Sequence, residues 1–199
     1  MMPILGRPRE FDRDTALQAA MLVFWRKGFV ATSMNDLCDA MGIRSPSLYA
    51  AFGSKESLYI EAIQWYTKTV RPRIWDRLEE GPSARNCVKK FLMTAAKALP
   101  GDAEAPLGCM VSMATIGEEC PEAIQEAVKN ARLDGLHLLR SRLEAAVADG
   151  ELPRSTDVNR LSRFYLGVFQ GMSIQARDGA TRAELEGMAK PAMLAWPGA

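Results

Sequence analysis

Arg44, Ser45, Ser47 and Tyr49 bring a guanidinium, two hydroxyls and a phenol into six consecutive positions. Groups of this kind hydrogen-bond to base edges and phosphate oxygens. Nothing else in the chain forms a competing reactive set. There is no Ser-His-Asp order, no glycine-rich phosphate loop and no clustering of carboxylates with a base. The lone His137 sits among Leu136, Leu138 and Leu139 with no second histidine to share a metal, and is expected to be a structural residue. No metal, no cofactor and no enzymatic activity are expected.

The elements around Arg44–Tyr49 explain how such groups would be presented. Residues 12–27 place Leu17, Ala20, Met21, Phe24 and Trp25 on one helical face, and Gly28 suits the end of that helix. Ser33 can cap a short helix bearing Leu37, Cys38 and Met41, ended by Gly42. Ser45 followed by Pro46 opens a second short helix through Leu48 to Phe52. From Lys55 a longer helix runs until Pro72. Two short helices joined by a tight glycine-containing turn form a helix-turn-helix, and Arg44, Ser45, Ser47 and Tyr49 then project from the end that enters a major groove.

Beyond Pro72 the pattern stays helical. Helices are predicted after Ser83, over Leu107–Ile116, over Pro121–Asp149, over Thr156–Asp178, and from a Thr181/Glu184 capping box onward. No segment alternates with period two for long enough to be a strand. The fold class is all-α with about nine helices: a three-helix head over residues 1–57, and a helical bundle over 58–199.

Composition sets bounds. The hydrophobic content of 48% is ordinary for a globular protein, and no apolar run approaches membrane-spanning length, so a cytoplasmic protein without a membrane partner is expected. Cys38, Cys87, Cys109 and Cys120 are widely spaced with no C-x-x-C pair, which argues against a zinc knuckle or a disulfide framework. The net charge is +1, and residues 1–57 carry seven basic and six acidic side chains. Affinity for nucleic acid must therefore come from placed groups, not from a basic surface.

The run Gly28-Phe29, Thr32-Ser33, Gly42-Ile43, Ser47-Leu48-Tyr49, Phe52 and Ser54-Lys55-Glu56-Ser57-Leu58 resembles the head of the tetracycline-repressor (TetR) family over roughly residues 10–60. The resemblance implies that Thr32 and Ser33 touch phosphate, that Arg44, Ser45, Pro46 and Ser47 face bases, and that Tyr49 and Lys55 clamp phosphates. Ala50-Ala51 and Arg44 depart from the commonest family wording. Arg44 suits either a guanine edge or a phosphate. Arg7 and Arg9 resemble the basic arm that precedes many such heads; they read equally as an arm for the minor groove or as an unstructured tail.

The family's plan implies a ligand-binding and dimerisation region in the remainder. Over Thr156–Asp178 the apolar residues cover more than one face, and Phe164, Gly167, Val168 and Gly171, with Leu185 and Met188 of the last helix, are expected to form half of a four-helix homodimer interface. Trp65, Tyr66, Phe91, Met110 and Met113 stand where a cavity would be lined, although such residues also serve as plain core. The Leu107-Gly108-Cys109 wording is similar to a family subgroup in which a cysteine senses electrophiles or oxidants, and Cys109 is placed at a predicted helix start. The function expected is a repressor released from a palindromic double-stranded operator by an unidentified small molecule. A helical interaction module and a small all-α enzyme are the alternatives.

Overall fold

The computed structural model describes residues 11–102, 105–114, 117 and 119–197, so Arg7 and Arg9 lie outside the described residues. Every regular element among them is helical: α1 (Arg13–Ala31), α2 (Met34–Met41), α3 (Ser45–Phe52), α4 (Lys55–Thr69), α5 (Pro72–Trp75), α6 (Ala84–Ala98), α7 (Met110–Met113), α8 (Glu122–Ala148), α9 (Val158–Arg177) and α10 (Arg182–Ala192), with 3-10 turns at Asp76–Leu78 and Met193–Ala195. The expected nine or so helices correspond to eight of eight residues or more plus the single-turn α5 and α7.

Local chemistry sets the boundaries. Asp12 accepts the Thr15 N–H at 2.6 Å to cap α1. Gly28 (φ 76°, ψ 173°) breaks the regular helix, and only the turn Phe29–Ala31 follows. Ser33 and Asp36 form a capping box on α2, as Thr181 and Glu184 do on α10. Pro72 cannot continue α4, and instead opens α5 in its first turn.

The helix predicted over Leu107–Ile116 is much shorter than expected. Gly108 takes φ +75° and lies so close to α9 that a Cβ there would stand 2.9 Å from the Ser173 carbonyl, and among the described residues of this stretch only Met110–Met113 is helical. Arg132 of α8 bonds three carbonyls at the end of that turn, Val111, Ser112 and Ala114, the last at 2.6 Å.

Two packed regions share one continuous core. In the first, Leu17, Phe24, Leu37, Leu48, Phe52 and Leu58 close the head, and each such fully buried large side chain contributes about 1.5–3 kcal/mol. In the second, Trp75, Phe91 and Phe169 stack at centroid distances of 4.8–5.3 Å between α5, α6 and α9. Gly135 lets α8 approach this cluster, since a Cβ there would fall 2.6 Å from the Trp75 ring. Helix α4 packs on both α1 and α8, so it belongs to both regions.

Candidate DNA interface and control region

The turn between α2 and α3 is made by Gly42 in the left-handed region (φ 64°, ψ 28°), followed by Ile43, whose N–H donates to the Cys38 carbonyl at 3.1 Å. Buried Leu37 and Leu48 fix the two helices against each other, and Leu48 and Phe52 anchor the inner face of α3. The opposite face is therefore turned outward. Arg44, Pro46 and Tyr49 are exposed, and Ser45 and Ser47 half-buried, all on the first turns of α3. Arg44 holds the cap position without a capping bond from its side chain. Its guanidinium has no ion pair among the described residues, and is free for a DNA partner.

The flanking residues divide. Ser33 is exposed at the start of α2; its Oγ accepts the Asp36 N–H at 3.1 Å, which leaves the hydroxyl hydrogen to donate elsewhere. Lys55, in the first turn of α4, is half-buried and carries its Nζ 4.5 Å from the centroid of the Phe29 ring, a cation–π contact. Thr32 departs from its expected role. It is 1% exposed and its hydroxyl donates to the Gly28 carbonyl at 2.6 Å, so the side chain is committed to closing the break in α1 and is not presented to phosphate.

Three ties that hold this surface have no local signature. The Arg13 guanidinium bonds both carboxylate oxygens of Glu61 at 2.9 and 2.7 Å and lies 4.4 Å over the Phe52 ring, joining α1, α3 and α4. Lys27 pairs with Asp36 at 2.6 Å. That bond, followed by those from Ser33, holds the Asp36 carboxyl down at about 2, so the capping box stays charged across the neutral range. Arg177, at the end of α9, donates to the carbonyls of Trp25 and Arg26, just before the Gly28 break. The partners in these three ties stand 48, 9 and 151–152 residues apart along the chain.

The predicted cavity residues are only partly brought together. Phe91 and Met110 are wholly packed in the core, while Trp65 and Met113 are half-buried; none of the four lines the cavity that Tyr66 does line. This cavity, about 430 Å³, lies between α1, α4, α5, α6 and residues 99–102 and 105–108, and its wall includes Trp25, Tyr66, Arg73, Lys97 and Gly108. Trp25 stands edge-on to Tyr66 at 5.0 Å. Cys109, next to Gly108, is 4% exposed; its N–H donates to Ser173 Oγ at 2.7 Å, and the Tyr66 hydroxyl donates to its Sγ at 3.2 Å. Burial, with the Cys109 sulfur adding to it, pushes the Tyr66 phenol well above its usual value, so it stays a donor.

On α9, Phe164, Gly167 and Ile174 are exposed and Val168 and Gly171 half-buried, forming one apolar stripe with half-buried Met188 and exposed Leu194 alongside. Leu185 does not belong to it. At 0% exposure it is a core residue between α10 and the body, because it falls on the inward side of a helix whose outward side carries Gly187 and Pro191. His137, expected to be a structural residue, is exposed on α8. Among the described residues no helix is long and apolar enough to cross a membrane, and no group of three His, Cys, Asp or Glu side chains is placed to hold a metal.

Residues 16–62 match the family model for bacterial regulatory proteins of the tetR family. The HTH-type transcriptional repressor ComR of Escherichia coli K12 is 33% identical over 194 residues, covering 96% of this chain and 92% of ComR. The repressor BdcR of the same organism is 32% identical, covering 90% of this chain and 86% of BdcR. A solved structure of the TetR family regulator CifR, a cysteine mutant complexed with 26-bp double-strand operator DNA, superposes with a TM-score of 0.91 at 42% identity, covering 96% of this chain and all of that one. Full-length kinship with repressors of one architecture, and a helix-turn-helix built as described, establish that the chain belongs to the TetR family of helix-turn-helix DNA-binding transcriptional regulators.

Proposed function

We propose that the protein is a homodimeric repressor that acts in the cytoplasm, holds a palindromic operator through two copies of α3, and leaves it when a small molecule occupies the body. Residues 1–57 serve as the reading head and 58–199 as the ligand-binding and dimerisation region, with α4 crossing that boundary. The observation that carries the reading is the outward face of α3, where Arg44, Pro46 and Tyr49 are exposed and Ser45 and Ser47 half-exposed among the described residues. Ser33 and Lys55 flank it as phosphate contacts, whereas Thr32 shapes the backbone between them. The apolar α9–α10 stripe supplies the surface for a second copy, and symmetric dimers pair with palindromic sites. The names of ComR and BdcR, and the operator complex of CifR, support repression and operator binding.

The test is selection of bound duplexes from a random pool, followed by anisotropy titration at several salt concentrations. The expected result is an inverted repeat whose affinity falls steeply with salt, with half-sites one helical turn or a multiple apart. Binding indifferent to sequence, or no binding, overturns the proposal.

The same geometry bears on a narrower version in which the effector is an electrophile or oxidant that modifies Cys109. The Tyr66 hydrogen bond to Sγ favours it, and burial of the thiol opposes it. Burial decides here, because attack on a thiol needs access as well as thiolate. Replacing Cys109 by Ser is expected to leave operator affinity and hydrogen-peroxide response within about twofold of the parent. A variant that binds operator normally but no longer releases it with peroxide assigns sensing to the thiol.

A further inference from the structure

We infer that the effector is an amphipathic organic anion, seated in the cavity between the head and the body with its apolar part against Trp25 and Tyr66 and its acidic group between Arg73 and Lys97. This deepens the ligand-controlled reading above and rests on it.

The cavity wall has two chemistries. Trp25, Tyr66, Ile74 and Leu99 line it from the core side and are buried, while Arg73 and Lys97 line it from the solvent side and are exposed. Its volume of about 430 Å³ falls within the range of small-molecule sites. A buried apolar floor beneath a cationic rim fits a ligand with a hydrophobic body and one negative end. Neither Arg73 nor Lys97 forms an ion pair among the described residues. The acid in the wall, Asp102, is engaged with its own loop, where it accepts the Ala105 N–H at 2.8 Å.

Trp25 gives the floor of the cavity an aromatic surface. Trp25 is 7% exposed, and its indole Nε1 has no acceptor among the described residues. A buried N–H without a partner costs stability, commonly about 1–3 kcal/mol, unless something else accepts it. This nitrogen is closed to a molecule the size of water, so a ligand in the cavity meets the indole through its ring and not through the N–H.

The cavity also stands where occupancy reaches DNA binding. Trp25 belongs to α1, and its carbonyl is held by Arg177 of α9, the helix bearing the apolar stripe. A ligand pressing on the Trp25 ring therefore acts on the joint between head and body three residues before the Gly28 break, beyond which lie α2 and α3. Other openings lack this combination. The α6–α10 groove carries Arg85, Lys89 and Lys190 but touches no part of the head, and the α4–α8 groove sets Lys68 of α4 against Glu126 and Asp134 of α8, so it offers no cationic rim.

The test uses matched pairs of probes, decanoate against decanol and phenylbutyrate against phenylbutanol, titrated into the full-length protein by calorimetry without DNA. At least one acid is expected to bind about tenfold or more tightly than its alcohol. The Arg73→Met/Lys97→Met double variant is expected to lose that preference while still binding the alcohol, and Trp25→Phe to weaken acid and alcohol alike. Both side chains of the double variant are exposed, so the fold is expected to survive, and an unchanged melting temperature checks this. Equal binding of acid and alcohol, undiminished acid binding by the double variant, or binding of neither acid overturns the inference. Adding the selected operator separates the two readings. An acid that binds with the predicted preference yet leaves DNA affinity unchanged upholds the site and overturns its control of repression; failure to bind acids while operator binding stands overturns the site alone.

Discussion

Replacing Arg44 by alanine is expected to weaken operator binding by about 10- to 100-fold per subunit contact while leaving the melting temperature unchanged. One well-placed arginine contact is worth about 1–3 kcal/mol of discrimination, and 1.4 kcal/mol is tenfold. Stability should not change, because Arg44 is exposed, makes no capping bond and has no ion pair among the described residues. The variant also decides between the two uses open to this side chain. If it reads a guanine edge, the loss is confined to the operator and to substitutions at one position of each half-site. If it holds a phosphate, operator and unrelated duplex weaken together and the salt slope becomes shallower by about one ion per contact. Anisotropy titrations at two salt concentrations separate these outcomes. An Arg44→Ala protein that binds both duplexes like the parent removes Arg44 from the interface.

The importance of one residue follows from how little charge the head has to spend. With near-balanced acids and bases over residues 1–57, and with Lys27 paired to Asp36 and Arg13 to Glu61, two of its cations are already committed to holding helices together. Arg44 and Lys55 are left near the reading edge. Coupling to the body is equally economical. The Arg177 contact with the carbonyls of Trp25 and Arg26 and the two-sided packing of α4 are the visible links through which a change in the body can move α3.

The parts of the fold governed by local rules were legible from sequence. Gly42 had to turn the chain, Ser33 and Thr181 had to cap, Pro72 had to end a helix, and each did so through bonds within four residues. Leu37, Leu48 and Phe52 followed from helical period alone. What failed depended on contacts between distant segments. Thr32 looks like a phosphate ligand until Gly28 is seen to leave a carbonyl that its hydroxyl must satisfy. The helix expected at Leu107 is cut short by the approach of Ser173, 65 residues on from Gly108. Leu185 and Gly187 are two positions apart on α10, and only the direction in which the helix lies against the core decides which one faces out. The cavity residues were missed for the same reason: Trp25, Arg73 and Lys97 come from three helices, and nothing in their spacing relates them.

Changing Ile174 to glutamate is expected to convert the dimer to monomer and to lower operator affinity by 100-fold or more. Ile174 is 51% exposed in the single chain, so a charged side chain there meets solvent and the protomer should fold as before. In a dimer packed through α9 and α10, the same position would bury two carboxylates facing each other across an apolar seam, which costs several kcal/mol. The DNA effect follows from avidity. Two heads on one rigid body bind the second half-site as an intramolecular step, an advantage of about 10²–10⁴ that a monomer loses without any change to α3. Sedimentation velocity gives the oligomeric state, and the same operator titration gives the affinity. A variant that stays dimeric excludes the α9 stripe as the interface. Leu185→Glu provides the contrast: at 0% exposure its carboxylate would be buried within a single chain, so it should lower the melting temperature of the protomer rather than dissociate folded subunits. Dissociation without unfolding at Ile174, together with unfolding at Leu185, would assign the outward stripe of α9 to the interface and the inward side of α10 to the core of the protomer.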